Sequence, residues 1–380
     1  MIRRCLSSSL LILTLAGSAI AAPTISDIKP GGGGDYLNLA AWEAAKDGAV
    51  AIGDGQWARC FTGGSLGACT IADWDNVGHT SSNAYIKIYT ELGAERHLGR
   101  LNTGAYMDNA GVVLSIQEPF CRIIGLRIQN TAASDIVNIT SGNEHGLHFE
   151  DNYVVYAIAG TGGQLGYEVM SFSLGYTPTP NTTSDWVYVI NNGLMARNAA
   201  AYPGGYLGDA LQITYVANMT NTIVIYNNIM RSIWNTVETI DAKDAVAGAG
   251  MTILCRNNVC HGEPVRTGVN PLMYFTGDST NNHVIEYNAS RDASAYTWDQ
   301  THSITGFSNN SGQDIMHWST NWTLVSTSRF INAGVDLALV PEDFRGTNRN
   351  EGGLGTDMTW MEWPETPLPA SAHPIYHLMF

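Results

Sequence analysis

The chain has 380 residues, 44% hydrophobic and only 14% charged, with 40 glycines, 17 tyrosines and 10 tryptophans. That balance excludes a disordered acidic tail and a coiled coil, and it supplies enough apolar material for one large core. Asp and Glu number 34 against 19 Lys and Arg, a net charge of −15; such a total repels nucleic acid, whose phosphates need clustered cations.

Arg3 and Arg4, an apolar run from Leu10 to Leu15, and the small residues Ala19, Ala21 and Ala22 before Pro23 read as a secretory signal peptide over residues 1–22. The run is too short to span a bilayer, and no later segment approaches the ~20 apolar residues of a transmembrane helix. The product is therefore expected to be secreted or periplasmic, with loss of the two arginines taking the net charge from −15 to −17. Five cysteines remain: Cys60, Cys69, Cys121, Cys255 and Cys260. Cys60 and Cys69 flank a Gly-rich turn and are candidates for a disulfide in an oxidising compartment. No CxxC pair occurs, so the cysteines do not suggest zinc.

An apolar alternation ending in a polar pair recurs along the chain, as LRIQNT (126–131), LHFEDN (147–152), VYVINN (187–192), IVIYNN (223–228), ILCRNN (253–258) and HVIEYN (283–288). The period of two identifies strands. One inward column is expected from Ile128, Phe149, Val189, Ile225, Cys255 and Ile285, and a second from Leu126, Leu147, Val187, Ile223, Ile253 and His283. The second polar position is Thr131, Asn152, Asn192, Asn228, Asn258 and Asn288. Asn tolerates left-handed backbone at a tight bend, and stacked amides hydrogen-bond up a coil. The closest spacing, 21 residues from Asn130 to Asp151, suggests the bare coil, with the surplus elsewhere projecting as loops.

These rungs resemble the right-handed parallel β-helix proteins, the pectate-lyase-like superfamily, over roughly residues 110 to 345. The expected fold is all-β, a single solenoid over 111–345. Residues 23–110 form an N-terminal cap and first coils, and 346–380 a C-terminal cap or extended tail. DYLNLAAWEAA (35–45) looks like the capping helix of such proteins, with Asn38 as N-cap and Leu39, Trp42 and Ala45 on one face. DFRGTNR (343–349) is similar to the Asp-x-x-Gly-x-x-Arg segment that follows the last coil in many secreted bacterial members.

In β-helix enzymes the chemistry lies on an outer strand face walled by loops. The longest interruptions follow Asn152 and Asn192 and carry Tyr167, Tyr176, Trp186, Tyr202 and Tyr206. The last four are candidate sugar-stacking residues, and aromatics covering the coil are the alternative. Glu238-Thr-Ile-Asp-Ala-Lys243 and Val265-Arg266-Thr-Gly resemble the motifs of the β-helix lyases that cleave alginate and chondroitin. The resemblance implies Lys243 as base, Arg266 as its partner, and Glu238 with Asn228 as ligands of a calcium ion. The chain departs from that pattern at Thr236, where the family has a second Glu, and at Thr267, where it has His. Elimination needs these types of residue because the proton alpha to a uronate carboxylate is removable only when that carboxylate is neutralised. An outward Lys243 paired with Asp241 and Asp244 is the competing reading. Asp209 reads as a turn residue, and His145 and His148, three apart on a strand, do not share a face. Arg231, Lys243, Arg256, Arg266 and Arg291 fall in one third of the chain and invite the question of whether they share a groove.

Two classes of function follow: a secreted polysaccharide lyase acting on a uronate polysaccharide with calcium, or a non-catalytic extracellular surface, adhesion or assembly protein.

Overall fold

The computed structural model describes most of residues 22–290, Ile304–Thr305 and Leu337. Segments including 1–21, 157–166, 175–181, 196–207, 234–238, 245–251, 264–272 and 276–283 lie outside the described residues, and the signal-peptide and C-terminal tail expectations fall there. Among the described residues the strands form three all-parallel sheets of nine, eight and seven strands, and from Ile86–Tyr89 to Met273–Phe275 each coil adds one strand to each sheet. One coil reads Cys121–Ile124 in the first sheet, Arg127–Asn130 in the second, Val137–Ile139 in the third, and His148–Glu150 back in the first. This is a parallel β-helix, and the pairing begins at Thr24–Ile28, well before residue 110.

Alternation puts one set of side chains inside. Ile123, Phe149, Val189, Ile225, Cys255 and Ile285 are register partners in the first sheet and all are buried. The column is the expected one except at its start. Ile128 belongs to the second sheet, paired with Met107 and Val154. LRIQNT is therefore one strand out of step, and Leu126, not Thr131, precedes Asn152 in the turn column. In the first sheet the closest register spacing is 26 residues, from Ile123 to Phe149, and in the second sheet Met107 and Ile128 are 21 apart.

The turn between the first and second sheets is two residues long from Gly125–Leu126 onward, and its positions divide the labour differently from expectation. The left-handed residue is the first: Asp151, Asn191, Asn227, Asn257 and Tyr287 have φ of 55° to 57°, and Gly125 has φ 78°. The second is the ladder. Asn152, Asn192, Asn228, Asn258 and Asn288 are fully buried, and each of the first four donates its amide to the Oδ1 of the next. Each Nδ2 also donates to a main-chain carbonyl of the preceding coil, Phe149 for Asn192 and Val189 for Asn228. These bonds satisfy polar atoms that burial would otherwise leave at a cost of about 1–3 kcal/mol apiece.

Helix α1 (Leu39–Lys46) starts at Asn38, whose Oδ1 accepts from the Ala41 N–H at 2.8 Å. Leu39 and Trp42 are buried while Ala45 is exposed. The helix comes after the first strand, and it packs against Cys69–Ile71, the edge strand of the third sheet. Its Glu43 accepts from the Trp74 indole at 3.3 Å. Cys60 and Cys69 are not bridged: the five cysteines among the described residues are free thiols in the core. Burial pushes the Cys69 thiol up to about 12. No helix among the described residues is long and apolar enough to cross a membrane.

Candidate functional site

The insertions of the middle coils flank one sheet. From residue 153 onward the long connections run from second-sheet strands into the third sheet, and from the third sheet back to the first. What reads as one loop after Asn152 contains a third-sheet strand, Met170–Leu174. The outer face of this sheet is polar throughout: Ser115, Asn138, Ser171, Gln212 and Asp241 are register partners between buried apolar neighbours.

An acid stands at the entrance to each successive strand. Asp135, Glu168 and Asp209 lie two residues before Val137, Met170 and Leu211, which are register partners. Glu238 has the same offset from Ile240 in sequence and lies outside the described residues. The main chains of these entrances stack, with the Ile136 N–H donating to the Glu168 carbonyl and the Val169 N–H to that of Asp209. Gly208 is required beside Asp209, because a Cβ there would lie 2.6 Å from the Tyr167 carbonyl group.

Glu168 is the centre of the group. Its N–H donates to Asp135 Oδ1 at 3.1 Å, Gln212 Nε2 donates to its Oε1 at 3.3 Å, and the Tyr156 hydroxyl is shared between the carbonyls of Ser134 and Glu168. Burial, then the side-chain hydrogen bond and charge of Asp135, and then the charge of Asp241 push the Glu168 carboxyl up to about 8. Burial and the neighbouring acid thus favour the protonated form of Glu168. Asp209 and Asp241 are buried close by in sequence register.

Lys243 lies in Ile240–Asp244 of this same sheet, paired with Thr214, two positions after Asp241. Arg266, Tyr176, Tyr202 and Tyr206 lie outside the described residues. Trp186 is placed elsewhere: it packs on Tyr188, ring centroids 6.4 Å apart, in an apolar cluster on the outside of the first sheet with Ile190, Val224, Tyr226 and Leu337. Asn228 is in the interior ladder. Its Oδ1 accepts from the Asn192 N–H and Nδ2, and its own amide donates to Val189 and Asn258. This placement does not fit the expected role as a calcium ligand on an outer face. Among the described residues no three Asp, Glu, His or Cys side chains are grouped to hold a metal ion. Of the five cations, Arg266 and Arg291 lie outside the described residues, and the other three do not share a sheet: Arg231 is in the second, Lys243 in the third and Arg256 in the first, where it pairs with Glu286 at 2.5 Å.

Sequence reasoning missed Asp135 and Glu168 and took Asp209 for a turn residue. The signal available was an acid two residues ahead of an apolar-polar-apolar strand, repeated from coil to coil.

Compared with family models, curated proteins and solved structures, the chain matches none.

Proposed function

We propose that this is a secreted carbohydrate-active β-helix protein of the pectate-lyase-like kind, which cleaves an acidic polysaccharide on the outer face of its third sheet. The observation that supports this reading is Glu168, a carboxyl that keeps its proton near neutrality on a polar strand face flanked by long insertions. In its most concrete form the reaction is β-elimination. Lys243 takes the proton alpha to the uronate carboxylate, the electron pair forms the ring double bond, and the glycosidic carbon–oxygen bond breaks as Glu168 protonates the departing oxygen. Arg266 neutralises the uronate carboxylate. A calcium ion would do the same work from Glu238, and millimolar calcium is an arm of the test.

The carboxyl pair supports a second reading, hydrolysis, in which Glu168 again protonates the leaving oxygen and a neighbouring carboxylate activates water. Incubation with a panel of uronate polymers separates the two. Elimination yields the ultraviolet absorbance of an unsaturated sugar, and hydrolysis yields reducing ends without it. Glu168→Gln is expected to abolish either reaction, and Lys243→Ala only the first. No product from any polymer, with or without calcium, would leave the non-catalytic surface protein as the reading.

A further inference from the structure

The first sheet carries an outer face of another character. Trp57, Lys87, Arg122, His148 and Tyr188 are successive register partners, so they form one outward column with about 4.8 Å between rungs. Tyr85 and Tyr89 complete it. The Trp57 and Tyr85 rings stack at 5.6 Å and 26°, and the Arg122 guanidinium lies 3.6 Å from the Tyr85 ring. Lys87 Nζ sits between two rings, 4.7 Å from Trp57 and 4.2 Å from Tyr89. Trp57, Tyr85, Lys87 and Arg122 are all half-exposed.

Two cations stand on adjacent rungs here, and neither is held in an ion pair. Among the described residues neither Lys87 nor Arg122 forms an ion pair, while the nearby acids are engaged: Glu150 with His148 at 2.6 Å and Glu91 with Arg59 at 4.0 Å. Burial and then the charge of Arg122 lower the Lys87 pKa, against the opposing charges of Glu91 and Glu150, in a chain of net charge −15. The column has ends. Beyond Trp57 lies Ile25, an exposed apolar residue at the sheet edge; beyond Tyr188 the apolar cluster is closed by Leu337.

We propose that this column is a binding site for a single chain of an anionic, carboxylate-bearing polysaccharide, separate from the third-sheet face. Flat aromatic rings pack against pyranose C–H faces, and a cation at the next rung meets a sugar carboxylate in a way that neither group achieves alone. Two cations on adjacent rungs, set among aromatic rings, suit the carboxylates of neighbouring sugar units, whereas a nucleic acid would meet the protein's overall negative field. The site shares with the proposed function only the class of glycan. Binding here and cleavage at Glu168 are separate measurements.

The test is calorimetric titration of the full-length protein with defined oligouronates, neutral oligoglucans and single-stranded DNA. Oligouronates should bind, more weakly as salt rises, and Lys87→Gln/Arg122→Gln should weaken them at least tenfold. Trp57→Ala should also weaken them, whereas Lys46→Gln, in helix α1, should leave affinity unchanged. Circular dichroism and the melting transition verify that each variant is folded, and Lys87→Glu alone provides a charge reversal at a half-exposed position. Unchanged affinity in folded Lys87 and Arg122 variants, equal binding of DNA or neutral glucan, or loss of binding only in Glu168→Gln would each overturn the assignment. Uronates bound through Lys87 yet never cleaved would sink the catalytic reading and leave this one standing.

Discussion

Asn192 donates its side-chain amide to Asn228 Oδ1 at 3.0 Å across 36 residues of sequence, and its backbone N–H donates to the same oxygen at 2.8 Å. One buried oxygen thus closes two bonds between neighbouring coils. The residue just before it does something else: Asn227 has φ 56°, and its amide has no hydrogen-bond partner among the described residues.

That division predicts opposite responses at adjacent positions. Asn228→Ala strips partners from buried groups of Asn192, Val189 and Asn258 and should cost about 3 kcal/mol or more. Asn227→Gly keeps the left-handed turn and loses no ladder bond, so it should stay within about 1 kcal/mol of wild type. Urea denaturation of the two variants measures both. Equal losses would disprove the separation of roles.

Glu168 makes stability depend on pH in a defined direction. The unfolded chain releases this proton near the ordinary carboxyl value of 4.5, whereas the folded protein keeps it to about 8. Between those values the folded state binds the extra proton, so this group's contribution to stability falls as pH rises and levels off above about 8. Glu168→Gln removes the dependence. Melting temperatures of variant and wild type should converge near pH 5, with the variant higher at pH 9.

In the proposed reaction the same carboxyl would set an alkaline limit. If Glu168 is the proton donor, cleavage slows as pH rises through about 8. A rate profile flat across that range would remove Glu168 from the mechanism.

Arg127 offers a stabilising substitution. Its side chain is buried on the second sheet over the Tyr106 ring at 4.4 Å, and its Nε and Nη1 have no hydrogen-bond partner among the described residues. Asp108 lends it some opposing charge, but burying a guanidinium with two unpartnered nitrogens is costly. Arg127→Met, similar in length and apolar, should raise stability by about 1 kcal/mol or more, read as a higher urea midpoint.

Some of this was decided locally and is therefore visible in the sequence. The strand alternation, the column from Phe149 to Ile285 and the stacked Asn pairs are set by period two, by a two-residue turn and by chemistry within six residues, so the parallel β-helix was legible. Which Asn bends and which one bonds was not, because both share one local pattern and only the neighbouring coil distinguishes them. The first rung misled for a related reason: its turn is Gly125–Leu126, and Leu126 lends a backbone N–H to Asn152 Oδ1 where the other coils lend an Asn. Asp135 and Glu168 are 33 residues apart and meet because the strands after them are in register. The insertions between coils differ in length, so sequence spacing carries no trace of that alignment. Only the stacking of the coils brings the two carboxyls together and gives one of them a retained proton.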